Sequence, residues 1–252
     1  MAGLHRTGTS LLGKMLASHP SVAAIEDAPV PENEGCYLQG AIPHSALHGR
    51  PGHYATDPAQ HLVEGCRYDT LDTRIRMEAD WDRWFEGKGN WRVEKSPVNL
   101  TRMRLYQQLF PTAQFVVILR HPAVVAAALA KWLDNEPSDL IDYALDAYRI
   151  ALDDLRRLHC AMVIRYEDLV TGAVFPAVLS FLDLEPADQP FGLRNGNAEY
   201  GAIPAMTQHQ IERARRLGYG EEGAILPFDP IVRHPLRQVR ERTLSMLGSA
   251  GG

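Results

Sequence analysis

Apolar residues follow two rhythms along this chain. "QFVVILR" (114–120) and "AMVIRY" (161–166) are continuous apolar runs without polar alternation, which suits parallel strands buried on both faces. "SVAAI" (21–25) and "WRVEKS" (91–96) predict two shorter strands, the second ending at Lys95. Between the runs the spacing turns helical. Leu140, Ile141, Ala144, Leu145, Tyr148, Leu152 and Leu155 make one stripe through "LIDYALDAYRIALDDLRRL". Leu11 to Ser18 predicts a helix with Thr9 or Ser10 as N-cap and Pro20 closing it. Asp57-Pro58 reads as an N-cap and first-turn pair opening a helix toward Trp84. Further helices are predicted over Pro97–Leu109, from Pro122 through "AVVAAALAKWL", and over 207–217 and 235–247. Strands alternating with helices imply an α/β fold in three layers, a central mostly parallel sheet flanked by helices. Residues 27 to about 56 hold no period and are rich in Pro, Gly and His; so long a loop in a compact domain is usually functional or a lid.

The stretch "GLHRTGTSLLGKML" (3–16) changes the picture from fold to chemistry. It has the shape of a phosphate loop running into a helix, and Gly3 and Gly8 have the glycine separation of the Walker A pattern. Thr9 stands where that pattern has its lysine, followed by Ser10, and the loop carries Arg6 instead. Only Met1 to His5 precede the loop, whereas such a loop normally follows a buried strand of about five residues. A chain that starts further upstream is therefore expected.

Composition adds bounds. The 252 residues suffice for one sizeable core, and 45% hydrophobic with 23% charged residues is ordinary for a globular protein. A net charge of −5 argues against nucleic acid as a partner while allowing a local basic pocket. No apolar run is long enough to span a bilayer, and Arg6 and Lys14 break any signal-peptide core, so no membrane partner is expected. Cys36, Cys66 and Cys160 are odd in number and fall in no metal-ligand spacing, which reads as reduced thiols in a cytoplasmic protein without a bound metal.

In open α/β sheets ligands bind beyond the carboxyl ends of the strands. The loop at 5–10 follows the first strand; Lys95 and Ser96 end the "WRVEKS" strand; Arg120 and His121 end "QFVVILR"; Arg165, Tyr166 and Glu167 end "AMVIRY". Each has an ordinary reading of its own, as a helix cap, a surface residue or half an ion pair. Together, beside a helix N-terminus with free N–H groups, they predict a pocket for a ligand with more than one anionic group.

"GLHRTGTSLL", "EKSP", "FVVILRHP" and "VIRYEDLV", in this order, resemble sulfotransferases that use 3′-phosphoadenosine 5′-phosphosulfate (PAPS), nearest to the tyrosylprotein and related bacterial sulfotransferases. The similarity covers about residues 3–35 and 90–185. It implies a P-loop-like fold, one domain over 1–252 with a loop and helix insertion at about 28–90 forming part of the acceptor pocket, and PAPS as co-substrate with no metal. It also implies roles. Thr7, Gly8, Thr9 and Ser10 would cradle the 5′-phosphosulfate, Arg6 would take the place of the catalytic basic residue, Arg120 would bind the 3′-phosphate with Tyr166 near it, and Lys95 would sit by the bridging oxygen. The missing Walker lysine is then intelligible. A sulfuryl group carries less negative charge than a phosphoryl group, so a few fixed cations can stabilise its leaving group. One departure is Ala128, which stands where the family usually has a serine for the 3′-phosphate; Lys131 is the candidate replacement.

Sulfation of a hydroxyl benefits from a general base. Gap-free alignment through "LLGKMLASHPSVAAIED" sets Asp27 at the family's catalytic glutamate, with Glu26 beside it; Glu32, Glu34 and His5 are rivals. His44, His48, His53, Tyr37 and Tyr54 could line an acceptor site for a sugar or phenol and are assigned no role. The expected activity is sulfuryl transfer to a hydroxyl of a small molecule, glycan or peptide. A P-loop kinase of small molecules or nucleotides, or a non-catalytic nucleotide-binding relative, are the alternatives.

Overall fold

A computed structural model describes residues 1–85 and 89–250; of the insertion expected at about 28–90, residues 86–88 lie outside the described residues. In chain order the strands are β1 (Ala2–Gly3), β2 (Val22–Ala24), β3 (Trp91–Val93), β4 (Phe115–Leu119), β5 (Ala161–Arg165) and β6 (Ile231–Arg233). The helices are α1 (Thr9–Ala17), α2 (Leu71–Asp82), α3 (Met103–Leu109), α4 (Pro122–Leu129), α5 (Pro137–Leu155), α6 (Tyr166–Leu169), α7 (Phe175–Phe181), α8 (Gln208–Arg215) and α9 (Arg237–Ala250).

The sheet runs β1-β4-β5-β6, with β1, β4 and β5 parallel and β6 antiparallel at the edge. β2 and β3 form a separate parallel pair. The continuous apolar runs are explained by burial on both sheet faces. Val117 and Leu119 of β4 and Val163 of β5 pack into one core with α4 and α5, while Val116, Ile118, Met162 and Ile164 pack into a second core with α1 and α7. Alternation of period two sends successive side chains to opposite faces, and here both faces are apolar. The α/β class, with helices flanking a mostly parallel sheet, is what the pattern predicts.

Several boundaries differ from the sequence reading. Asp57-Pro58 does open a helix, with Asp57 capping Ala59 N–H at 2.9 Å, but it is one 3₁₀ turn over Pro58–Gln60. The chain then leaves for Leu62, whose N–H donates to the Thr101 carbonyl, and α2 starts afresh behind the cap residue Thr70. Pro97–Leu109 is likewise split into a 3₁₀ stretch, Pro97–Thr101, and α3. The N-cap of α1 is Gly8, not Thr9 or Ser10, because the chain turns there at φ 101°, a left-handed conformation that only glycine adopts cheaply.

One buried hydroxyl fastens the sheet to the helices at the end of β4. Tyr148 of α5 donates to the Arg120 carbonyl at 2.9 Å and accepts from the Arg120 N–H at 3.0 Å. Tyr148→Phe strands both backbone groups away from water, and is expected to cost about 1–3 kcal/mol. Thermal unfolding should register this as a fall of a few degrees, at about 2–4 °C per kcal/mol for a chain of this size.

Candidate active site

The site begins with the turn between β1 and α1. Leu4 O accepts from both the Thr7 N–H (3.2 Å) and the Thr7 hydroxyl (2.8 Å), which closes the loop on itself. Thr7 is fully buried, so its hydroxyl braces the loop and does not face the cleft. A Cβ on Gly3 would lie 2.5 Å from that hydroxyl, and one on Gly8 would lie 2.6 Å from the Tyr166 ring. Both glycines are therefore set by close approach. Arg6 takes φ 70°, and α1 starts with no side chain capping it and no acidic residue in its first turn. Open N–H groups and the positive end of the helix dipole are left facing the cleft.

That cleft, about 650 Å³, is lined by His5, Arg6, Gly8, Thr9, Ser10 and Leu11 on one side and by Arg120, Tyr166 and Tyr200 on the other. Arg120 is almost wholly buried. Its Nε donates to Asn197 Oδ1 (2.8 Å), its Nη1 to the Arg6 carbonyl (2.6 Å), and its guanidinium lies 4.1 Å from the Tyr166 ring centre. Its Nη2 has no hydrogen-bond partner among the described residues. Asn197 Nδ2 in turn donates to Glu167 Oε1, which also accepts from the His121 N–H. The strand-end residues thus divide: Arg120 and Tyr166 enter the cleft, while His121 and Glu167 hold them. Arg165 turns elsewhere, onto Asp168 and the carbonyls of Gly218 and Leu226.

A second cleft, about 790 Å³, adjoins the first at Ser10 and Glu32 and is lined by Glu26, Asp27, Lys14, Lys95 and Phe191. Glu32 stands on the divide. Its carboxylate accepts from Ser10 Oγ at 3.2 Å, and its carbonyl accepts from Lys95 Nζ at 2.7 Å. Asp27, Glu32 and Asn33 all have positive φ near 50°, a backbone strain gathered in one loop beside the phosphate turn.

Of the candidate carboxylates, Glu26 and Asp27 are exposed in this second cleft, and Glu34 alone is buried. Glu34 lines the loop cleft and lies 3.8 Å from Lys95. Burial raises its pKa to about 7, against the pull of Lys95 and with repulsion from Glu94 and Glu32. Burial and Lys95 lower His5 to about 4, so its imidazole is neutral at physiological pH, and its buried Nδ1 has no hydrogen-bond partner among the described residues. Cys36 and Cys160 are pushed up to about 12 by burial and are poor nucleophiles. His44, pushed down to about 3 by burial and Arg102, packs edge-on to Tyr37. Tyr54 is a core brace whose hydroxyl donates to Pro97 O at 2.9 Å.

A family model described as "Sulfotransferase family" matches residues 1–188. The chain belongs to the sulfotransferase family. Transferase chemistry follows from that membership. No curated protein matches the chain. Among solved structures, a sulfotransferase from Alicyclobacillus acidocaldarius matches with TM-score 0.48 and 18% identity, over 85% of this chain and 92% of that one. The sulfotransferase domain from the curacin biosynthetic pathway matches with TM-score 0.47 and 16% identity, over 98% of this chain and 95% of that one. No described helix of this sulfotransferase-family chain is long and apolar enough to cross a membrane.

Sequence reasoning missed the segment that roofs the loop cleft. Gly196 N–H donates to Tyr166 OH at 2.8 Å, and Tyr200 lies 5.4 Å below the Arg120 guanidinium and 4.4 Å from Lys131 Nζ. The only local signal was an Asn-Gly turn in "LRNGNAEYG"; nothing in it says which cleft it covers. Trp132, 5.0 Å from the Arg6 guanidinium, was missed for the same reason. Ala128 is fully buried in α4, whereas Lys131 reaches the cleft rim through Tyr200.

The raised pKa of Glu34 makes a signed prediction. A carboxyl whose folded value, about 7, exceeds its ordinary 4.5 stabilises the fold fully below pH 4.5 and loses that contribution as pH rises through 7. Glu34→Gln mimics the protonated form. Unfolding midpoints measured from pH 4.5 to 8 should decline less in E34Q than in the native chain; parallel curves would contradict the shift.

Proposed function

We propose that this chain is a PAPS-dependent sulfotransferase that moves a sulfuryl group to a hydroxyl of a small molecule, glycan or peptide. The observation that carries the reading is the uncapped start of α1 behind Gly8, facing the same cleft as Arg6, Arg120 and Tyr166. A doubly anionic nucleotide suits this cleft: an anion at the helix N-terminus, a second at Arg120 Nη2, and aromatic rings between them.

The donor supplies a sulfuryl group on a phosphate leaving group. The chain's residues do the rest. The N–H groups of Gly8, Thr9, Ser10 and Leu11 hold anionic oxygens; the Thr9 hydroxyl can join them, and the Ser10 hydroxyl can do so by turning from the Glu32 carboxylate, to which it donates at 3.2 Å. Thr7, with both donors given to Leu4 O, keeps the turn in shape instead. Arg6 and Lys95 supply positive charge where the bridging oxygen gains negative charge, the electrostatic contribution expected to matter most. Lys131 assists at the 3′-phosphate, where Ala128 has no hydroxyl to offer.

The acceptor proton goes to a carboxylate. Glu34 is the better candidate, being poised near neutrality beside the loop and Lys95. Glu26 and Asp27, exposed on the adjoining cleft, then orient the acceptor. Turnover should rise with pH through about 7, and E34Q should lose about 10²–10⁴-fold in kcat. Asp27→Asn should chiefly raise KM for the acceptor. The opposite pattern, D27N inactive and E34Q active, moves the base to Asp27.

Calorimetry with 3′-phosphoadenosine 5′-phosphate, and separately with ATP and Mg²⁺, tests the donor. The first should bind and weaken on Arg120→Ala; binding of ATP alone supports a kinase instead. A screen of hydroxyl acceptors with ³⁵S-labelled PAPS tests transfer. Nucleotide binding with no labelled product, and no effect of Arg6→Ala, indicates a non-catalytic relative.

A further inference from the structure

Rings, not carboxylates, hold the cations of the loop cleft. Arg120 lies 4.1 Å from the centre of the Tyr166 ring, Lys131 lies 4.4 Å from that of Tyr200, and Arg6 lies 5.0 Å from that of Trp132. Glu32, Glu34 and Glu199 line the same cleft, yet none of these three cations forms an ion pair among the described residues. Elsewhere arginines do pair with acids: Arg104 with Glu64 and Asp154, Arg165 with Asp168, Arg213 with Asp142 and Asp146. A carboxylate orients a cation and also cancels its charge. A ring orients it through a quadrupole and carries no net charge, so the cation stays available to an anion.

Arg6 depends on its ring most. Its guanidinium makes no hydrogen bond among the described residues, whereas that of Arg120 is fixed by Asn197 and by the Arg6 carbonyl. The Arg6 backbone is at φ 70°, a region that a residue other than glycine enters only under constraint. In that conformation its carbonyl accepts from Arg120 Nη1 at 2.6 Å while its side chain meets Trp132. Trp132 is carried on a rigid support. It follows α4, which is buried at every position but Ala127, and its N–H donates to the Leu129 carbonyl at 2.9 Å. The next residue, Leu133, packs against the core, and a Cβ on Gly52 would lie 2.5 Å from it. Burial does not account for the indole itself, which is 53% exposed where it lines the cleft.

We propose that Trp132 is the positioning residue of Arg6: the indole holds the guanidinium in the cleft with its charge uncancelled, ready for the oxygens of the leaving phosphate. This role rests on the reading of Arg6 as a cation that stabilises that phosphate. Without the ring, a long side chain with free rotamers must be ordered afresh by each ligand, a cost that corresponds to about 3–10-fold in affinity. With it, the cation is oriented before the ligand arrives, which is the arrangement electrostatic stabilisation requires.

The test compares equilibrium binding of 3′-phosphoadenosine 5′-phosphate (PAP) with that of adenosine 3′-phosphate, which lacks the 5′-group that Arg6 would meet. Trp132→Ala should weaken PAP by about 3–10-fold and leave adenosine 3′-phosphate within about twofold. Trp132→Phe, which keeps a ring, should bind PAP as the native chain does, and in an Arg6→Ala background W132A should add nothing. Equal weakening of both nucleotides means that Trp132 serves the nucleoside, and overturns the proposal. So does W132A binding PAP normally while R6A binds it weakly. If R6A itself leaves PAP binding unchanged, the role of Arg6 falls, and with it the reading on which this one rests. A second readout needs no ligand. Of the four tryptophans only Trp132 meets Arg6, so R6A should alter tryptophan emission in the native chain and not in W132F. Identical emission in the native chain and R6A overturns the contact.

Discussion

The site rests on one steric constraint, the approach of Gly8 to the Tyr166 ring. There is room for no Cβ, and the left-handed turn it permits lets α1 begin without a side-chain cap. A serine or threonine cap would have satisfied one helix N–H internally and turned a hydroxyl into the space a ligand needs. By leaving the first turn unsatisfied, the chain keeps a fixed donor array aimed at the cleft. Tyr166 then has two jobs, packing on the turn and stacking on Arg120, so that both anion-holding groups share one wall.

Electrostatics around that turn are arranged by burial more than by pairing. His5 is held neutral and Glu34 is held near its titration point because both are removed from water beside Lys95. Lys95 spends one hydrogen bond on the Glu32 carbonyl and stands 3.8 Å from Glu34, too long for a tight pair. Its charge is thus shared among several groups instead of being cancelled by one. In a cleft of low dielectric such a cation acts at longer range than on the surface. Charge is available without committing Lys95 to a single partner, which suits a leaving-group stabiliser.

Much of this was legible in the sequence, and the reasons are physical. β4 and β5 announce themselves because burial on both faces keeps each run apolar until the arginine at its carboxyl end, Arg120 after β4 and Arg165 closing β5, and α5 because one face of nineteen residues must be apolar. Arg120, Tyr166 and Lys95 could be drawn to one edge because parallel strands deliver their ends together. What could not be read was direction. Thr7 and Thr9 are the same residue type two apart, yet one braces Leu4 O and the other lines the cleft, and only the left-handed turns at Arg6 and Gly8 decide which. Arg165 resembles Arg120 in sequence context but turns to Asp168 and to the carbonyls of Gly218 and Leu226, 53 and 61 positions away.

The base illustrates the same limit. Alignment without gaps favours Asp27, whereas burial favours Glu34, and the two lie on opposite sides of Glu32. Asp27, Glu32 and Asn33 take left-handed backbone conformations in this stretch, and seven residues of sequence lead from the exposed Asp27 to the buried Glu34. Positional correspondence along a chain assumes that the backbone keeps its course, and here three left-handed residues break that assumption. A proton acceptor needs proximity to the reacting hydroxyl and a pKa near the working pH; sequence spacing speaks to neither. The raised pKa of Glu34 arises from the same burial that brings it beside the phosphate turn, so location and acidity have a single cause.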